Sequence, residues 1–72
     1  MIVVEGQLKG GFKGFKDRST IFEFSGGRRW HQNEYNYHYH YAYMPHAKVV
    51  LEGGRHMLYV EGVSDSVEVR PA

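Results

Sequence analysis

The chain has no cysteine, and that absence excludes several kinds of protein at once. Without thiols there are no disulfide cross-links, no cysteine-ligated zinc and no thiol catalysis. The composition fits a reducing compartment, and we expect a cytoplasmic protein. A domain of 72 residues buries only about 60–65% of its unfolded surface, so its core is thin. Stability must then come from large core side chains or from self-association.

Long apolar runs and a strong net charge are also missing. The N-terminal sequence MIVVEGQLKG has too short an apolar stretch for a signal peptide and lacks a basic start. No apolar run approaches the ~20 residues of a membrane-spanning helix, so we expect no membrane partner. The formal net charge of +1 provides no overall basic field of the kind that dominates non-specific nucleic-acid binding.

Apolar residues at helical spacing are absent, whereas one segment has a perfect period of two. The run YNYHYHYAY covers residues 35–43 and has tyrosine at every second position. Side chains alternate across a β-strand, so an extended run places all the rings on one face and His38 and His40 on the other. A helix would scatter the rings around its circumference. The tyrosines are Tyr35, Tyr37, Tyr39, Tyr41 and Tyr43.

The rest of the sequence predicts five or six strands. The first spans residues 3–12 and is bent at its glycines. Residues 20–24 and 28–32 form a hairpin around a Ser-Gly-Gly turn. The preferred register of that hairpin sets Phe22 against Trp30 and unlike charges against each other at Glu23 and Arg29.

A second hairpin joins residues 47–52 to residues 55–60 through Gly53-Gly54, and a last strand covers residues 67–70. The face of this hairpin that is predicted to lie in the core contains Ala47, Val49, Leu51, Leu58 and Val60. Short consecutive antiparallel strands in so small a chain favour a barrel, since closure removes exposed strand edges. We predict one all-β domain over residues 1–72, an antiparallel SH3-like barrel of five to six strands, with an OB-like barrel as the alternative.

The tyrosine row has three interpretations. The rings could cover a thin core while their hydroxyls reach water. They could form a contact between copies of the chain, because a nine-residue strand spans ~30 Å and would overhang so small a domain. They could also stack single-stranded bases or sugars, together with Trp30.

Histidines at alternate positions raise the hypothesis of a metal site. The side chains of His38 and His40 share one face, at a spacing that allows both to reach one Zn²⁺ ion. Further ligands would come from His31, Glu34 or His46. The alternative is that the two histidines are solvated partners of neighbouring polar groups.

Basic residues close to an aromatic residue raise the hypothesis of a nucleic-acid interface, in which phosphate contacts accompany base stacking. The alternative is that Arg29 pairs with Glu23 and the other charges only aid solubility. The residues of the basic hypothesis are Lys13, Lys16, Arg18, Arg28, Arg29 and Trp30.

Catalytic patterns are lacking. The glycines form neither a GxGxxG nor a Walker pattern before a helix. The serines, histidines and carboxylates show no triad spacing, and no paired carboxylates have a reason to hold separated pKa values. We therefore predict a binding protein rather than an enzyme, and no cofactor.

The segment TIFEFSGGRRWHQNEYNYHYHYAYMPHAKVV combines a Phe-x-Phe strand, a glycine turn, a Trp-x-Gln, an alternating aromatic strand and a proline. These elements are Phe22, Phe24, Gly27, Trp30, Gln32, residues 35–43 and Pro45. The pattern, with MLYVEGVSDSVEVR at the end and GGFKGF near the start, resembles a family of small bacterial proteins of unknown function. The resemblance covers about two thirds of the chain and implies no activity. Some such proteins are encoded by single-gene mobile cassettes, including integron cassettes, and the resemblance implies such an origin here. Arg28 and Arg29 stand where the family has an uncharged pair.

The sequence as a whole predicts a small interaction module that assembles with itself through the tyrosine strand. The alternatives are a single-stranded nucleic-acid-binding barrel and a histidine metal site.

Overall fold

The computed structural model describes all 72 residues and contains eight β-strands and no helix. The strands are β1 (Ile2–Gln7), β2 (Gly11–Phe15), β3 (Ile21–Glu23), β4 (Arg29–Gln32), β5 (His38–Tyr43), β6 (His46–Glu52), β7 (Arg55–Val60) and β8 (Ser66–Pro71). The all-β prediction is confirmed, whereas the predicted number of strands is too low. Since the chain has no helix, none of its segments is a helix able to cross a membrane.

Six of the strands form one antiparallel sheet in the order β1-β6-β7-β8-β4-β3, and β2 and β5 form a separate pair. The long sheet curls until its two end strands meet. There, Leu8 and Phe24 form a single antiparallel bridge. The bridge is flanked by hydrogen bonds from Ser25 N–H to Gln7 O (2.9 Å) and from Lys9 N–H to the carbonyl of Glu23 (2.7 Å). The curled sheet is therefore barrel-like, with short contacts protecting its edges.

The first predicted strand, residues 3–12, is two strands in two different sheets. Gly10 has a φ of +72°, a left-handed conformation that glycine adopts without steric cost. The chain turns there, and β2 leaves the curled sheet to pair with β5. The prediction of one bent strand is wrong. The ladder between β1 and β6 ends at Gln7, and the chain then forms a separate ladder between β2 and β5.

Both predicted hairpins have the expected register. Phe22 lies opposite Trp30 in β3 and β4, and Glu52 lies opposite Arg55 across the turn of β6 and β7. Glu23 also lies opposite Arg29, but its ion pair is with Lys9 at 3.8 Å.

One apolar cluster fills the space between the two sheets. The rings of Phe12, Phe15 and Phe22 pack against one another with centroids 6.0–6.2 Å apart, so β2 and β3 meet through aromatic contacts. Leu51, predicted to be in the core, is only half-buried. The buried cluster comprises Leu8, Phe12, Phe15, Phe22, Phe24, Trp30, Ala47, Val49, Leu58, Val60, Val67 and Val69.

Candidate functional site

The tyrosine face, made of Tyr35, Tyr37, Tyr39, Tyr41 and Tyr43, is the largest exposed aromatic surface of the chain. Its side chains are 58–74% exposed, while the residues between them are half-buried. The predicted alternation is confirmed along the whole run, and Tyr39, Tyr41 and Tyr43 share one face of a strand. Pairing covers only β5, His38–Tyr43, so the predicted nine-residue strand is too long. Residues 35–37 keep the alternation of exposed and half-buried side chains without a partner strand.

The pairing with β2 holds the second half of this face in place. Gly11 lies opposite Tyr43, and Gly14 lies opposite Tyr39. On the other side of β2, Phe12 and Phe15 enter the core. The aromatic cluster thus supports the sheet that displays the tyrosines.

Three side chains hold the unpaired residues 35–37 in place, those of Gln32, Glu34 and Asn36, whose Nδ2 donates to the carbonyl of Ser66 at 3.5 Å. The side chain of Gln32 is fully buried, and its amide nitrogen donates to the carbonyl oxygens of Glu34 (2.8 Å) and Asn36 (3.3 Å). The Glu34 carboxylate accepts a hydrogen bond from the backbone N–H of Glu68 at 2.8 Å. Sequence reasoning gave Gln32 no such role, although an inward Trp30 places residue 32 on the same inward side of the strand.

The rings do not cover the core. No member of the tyrosine face belongs to the buried cluster or packs against it, so the interpretation in which the rings cover a thin core is wrong. Its hydroxyls make no hydrogen bond within the chain, whose only tyrosine hydroxyl donor is Tyr59, bonded to Glu52 at 2.5 Å. Residues 35–44 also lack Asp, Glu, Lys and Arg, so the face carries no formal charge of its own.

The histidines face inward on β5 but do not assemble a metal site. His38 Nδ1 lies 3.7 Å from Asp65 Oδ2, and His40 lies beside Gly62 in the turn between β7 and β8. His31 is on β4, opposite Arg70 of β8. No group of three or more His, Cys, Asp or Glu side chains is arranged to hold a metal ion.

Trp30 is buried, which corrects its assignment as a stacking residue. Its side chain is 2% exposed, its ring lies 5.3 Å from that of His56, and its Nε1 has no hydrogen-bond partner. Arg28 and Arg29 are exposed and form no ion pair, but no aromatic centre accompanies them because Trp30 points into the core.

The remaining basic residues separate into two places. Lys13 and Lys16 line a cleft of about 370 Å³ between β2 and β3, which Lys9 and Glu23 also line. Arg18 instead lines a second pocket, on the outer side of β4 and β8. The predicted basic patch is therefore not one continuous site.

Comparison of the chain with protein-family models, curated proteins and solved structures finds no match.

Proposed function

We propose that this protein is a non-catalytic interaction module that assembles with further copies of itself through the tyrosine face. The observation that supports this most is the exposure of the whole row, at 58–74% of each side chain. An aromatic side chain that becomes fully buried removes about 150–250 Å² from water. Because the five tyrosines are 58–74% exposed, the tyrosine face offers on the order of 600 Å² for a contact. That area equals the largest patches of ordinary monomers and approaches the ~800 Å² that one partner contributes to a standard interface.

The chemistry of the face also fits a contact between copies. The centres of protein interfaces are enriched in tyrosine and depleted of charge, and residues 35–44 have both properties. Strand β5 pairs only with β2, so its other edge has no partner strand. Unpaired strand edges are ready to add a strand from another chain.

Sedimentation velocity over a range of concentrations tests the proposal. We expect the native protein to associate, and the double variant Tyr39→Ser/Tyr41→Ser to remain monomeric. The matched control is Ile21→Ser, which removes an apolar side chain of 43% exposure outside the tyrosine face and should leave association intact. Equal masses for the native protein and the double variant at every concentration would contradict the proposal.

A second candidate, a single-stranded nucleic-acid-binding barrel, is favoured by the same exposed rings, since bases stack on accessible tyrosines. Several basic residues also form no ion pair within the chain: Lys13, Lys16, Arg18, Arg28 and Arg29. Stacking here would use the tyrosines without Trp30. Titration with a short single strand should then shift the NMR ring signals of Tyr39 and Tyr41. The binding should weaken steeply as the salt concentration rises. Ring signals that do not move at low salt would exclude this candidate.

The curled sheet also allows a more specific fold to be proposed. We infer an SH3-like rather than an OB-like barrel, supported by the short antiparallel strands and by a chain without the helix common in OB-like barrels. Membership of the family of small bacterial cassette proteins and a cytoplasmic location stay predictions from the sequence.

A further inference from the structure

A pocket of about 370 Å³ lies where the loop between β2 and β3 meets the outer face of β4 and β8. It has no acidic and no apolar residue in its lining, and it shares no residue with the tyrosine face. Its lining residues are Arg18, Ser19, His31, Gln32, Asn33 and Arg70.

The antiparallel ladder brings two of the nitrogen-bearing side chains together. His31 on β4 is the direct partner of Arg70 on β8. Partners in an antiparallel pair project from the same face of the sheet, with Cβ atoms about 5 Å apart. The sequence alone did not predict a role for Arg70, because only the pairing of β4 with β8 places it beside His31.

Arg18, a third nitrogen-bearing side chain of the pocket, lies in a hydrogen-bonded turn. The carboxylate of Asp17 accepts from the backbone N–H (3.0 Å) and the hydroxyl (2.6 Å) of Ser19. The N–H of Thr20 donates to the Asp17 carbonyl at 3.2 Å. The turn therefore fixes the backbone on both sides of Arg18 before any ligand arrives.

A buried amide joins this loop to the sheet. The side-chain oxygen of Gln32 accepts a hydrogen bond from the backbone N–H of Lys16 at 3.2 Å. Since Gln32 is fully buried on β4, it holds the start of the loop against the strand that carries His31.

The carboxylates closest in sequence to the two arginines already have partners. Glu68, two residues before Arg70, accepts from Nε (3.3 Å) and Nη2 (3.1 Å) of Arg55. Asp17 is engaged with Ser19. Neither Arg18 nor Arg70 forms an ion pair, so the two guanidinium groups that line this pocket have no carboxylate within ion-pair distance.

We propose that this pocket binds a phosphate group. The planar fork of an arginine matches two oxygens of a phosphate, and two arginines from different elements can contact different oxygens of the same group. The imidazole of His31 supplies a further donor around it. The side-chain amide of Asn33 already donates one hydrogen to Glu68 Oε2 at 3.5 Å, so its second hydrogen is the one available to a ligand. The phosphate can be free, terminal on an ester, or part of a nucleic-acid backbone, because the lining recognises the oxyanion itself.

Heteronuclear NMR on the full chain at low salt tests the proposal with inorganic phosphate as the probe. We expect saturable shifts of the Arg18 and Arg70 side-chain Nε–H signals and of the His31 amide. Sodium chloride at matched ionic strength should not reproduce them. Arg18→Gln and Arg70→Gln should each weaken binding roughly tenfold, the loss expected for a charge-assisted hydrogen bond. The control Lys13→Gln removes an exposed basic residue outside the pocket and should bind as the native protein does.

A pentathymidylate with and without a 5′-phosphate distinguishes the sources. Binding that needs the 5′-phosphate identifies a terminal ester, and equal binding of the two identifies the backbone; either result supports the pocket if Arg70→Gln weakens it. Shifts matched by sodium chloride, or unchanged in both arginine variants, would overturn the proposal. Native-like spectra of the variants verify that they are folded.

Discussion

Gly14 and His38 approach each other across the β2–β5 pair so closely that no side chain fits between them. A Cβ atom on Gly14 would overlap the carbonyl oxygen of His38 and lie 2.7 Å from the backbone nitrogen of His40. Gly14 also has a φ of +94°, which side-chain-bearing residues rarely adopt. The register of the pair shifts between Phe12 and Gly14, so this contact lies at the irregularity of the ladder. The strand that displays the tyrosines can therefore pair with β2 only because residue 14 is glycine.

Gly14→Ala should destabilise the fold by roughly 2–4 kcal/mol, because strain at positive φ adds to the backbone overlap. Gly11→Ala is the matched control on the same strand. Its added methyl group would meet only the Tyr41 ring, at 3.5 Å, and its φ is not positive. We expect this control to change stability by less than about 1 kcal/mol. Urea unfolding followed by circular dichroism measures both variants, and equal midpoints would show that the close approach does not constrain the pair.

Gln32→Met should cost about 2–4 kcal/mol, because it keeps the shape of the side chain but leaves backbone groups of Lys16, Glu34 and Asn36 without partners. The matched control is His31→Met, on the outer side of the same strand, which should stay within about 1 kcal/mol of the native protein. Hydrogen exchange adds a local measurement. The Lys16 amide should exchange faster in Gln32→Met and at the native rate in His31→Met, and protection retained in Gln32→Met would disprove the tie.

The turn that carries Arg18 should depend on pH at the acid end. The Ser19 hydroxyl, followed by the Ser19 backbone N–H, lowers the pKa of the Asp17 carboxyl below its ordinary 3.8. A group with a lowered folded pKa binds fewer protons when folded, so its contribution is present above pH 3.8 and is lost as the pH falls through the lowered value. In Ser19→Ala the pKa of Asp17 should return toward 3.8, which an NMR titration of the carboxyl carbon measures. An unchanged pKa in that variant would assign the shift to another cause.

The fold class could be predicted because periodicity and turn chemistry act locally. The pair Gly53-Gly54 sets the register of the β6–β7 hairpin, and the period of two places the tyrosines together on one side of their strand. The same locality explains the failures. Whether the chain after Gln7 continues beside β6 or leaves for β5 depends on the conformation of Gly10, and composition does not determine that.

The candidate site was less predictable, since it depends on which side of each strand is covered. The alternation that predicts a ring face does not say whether the core lies on that side, and here the half-buried face of β5 belongs to His38 and His40. Trp30 illustrates the converse case. Its neighbours Arg28 and Arg29 are exposed, yet the pairing of Trp30 with Phe22 directs the indole inward.

The burial of Trp30 predicts that its fluorescence will not report on the tyrosine face. With 2% of the side chain exposed, its emission should be blue-shifted relative to free tryptophan and resist acrylamide quenching until urea unfolds the chain. Association of copies, or stacking of bases on the tyrosines, should leave that emission unchanged while it shifts the ring signals of Tyr39 and Tyr41. Trp30→Phe verifies that the emission comes from this residue, since the chain has only one tryptophan. Strong acrylamide quenching of the folded protein would mean that the indole is open to solvent, and Trp30 would then return to the set of candidate stacking residues.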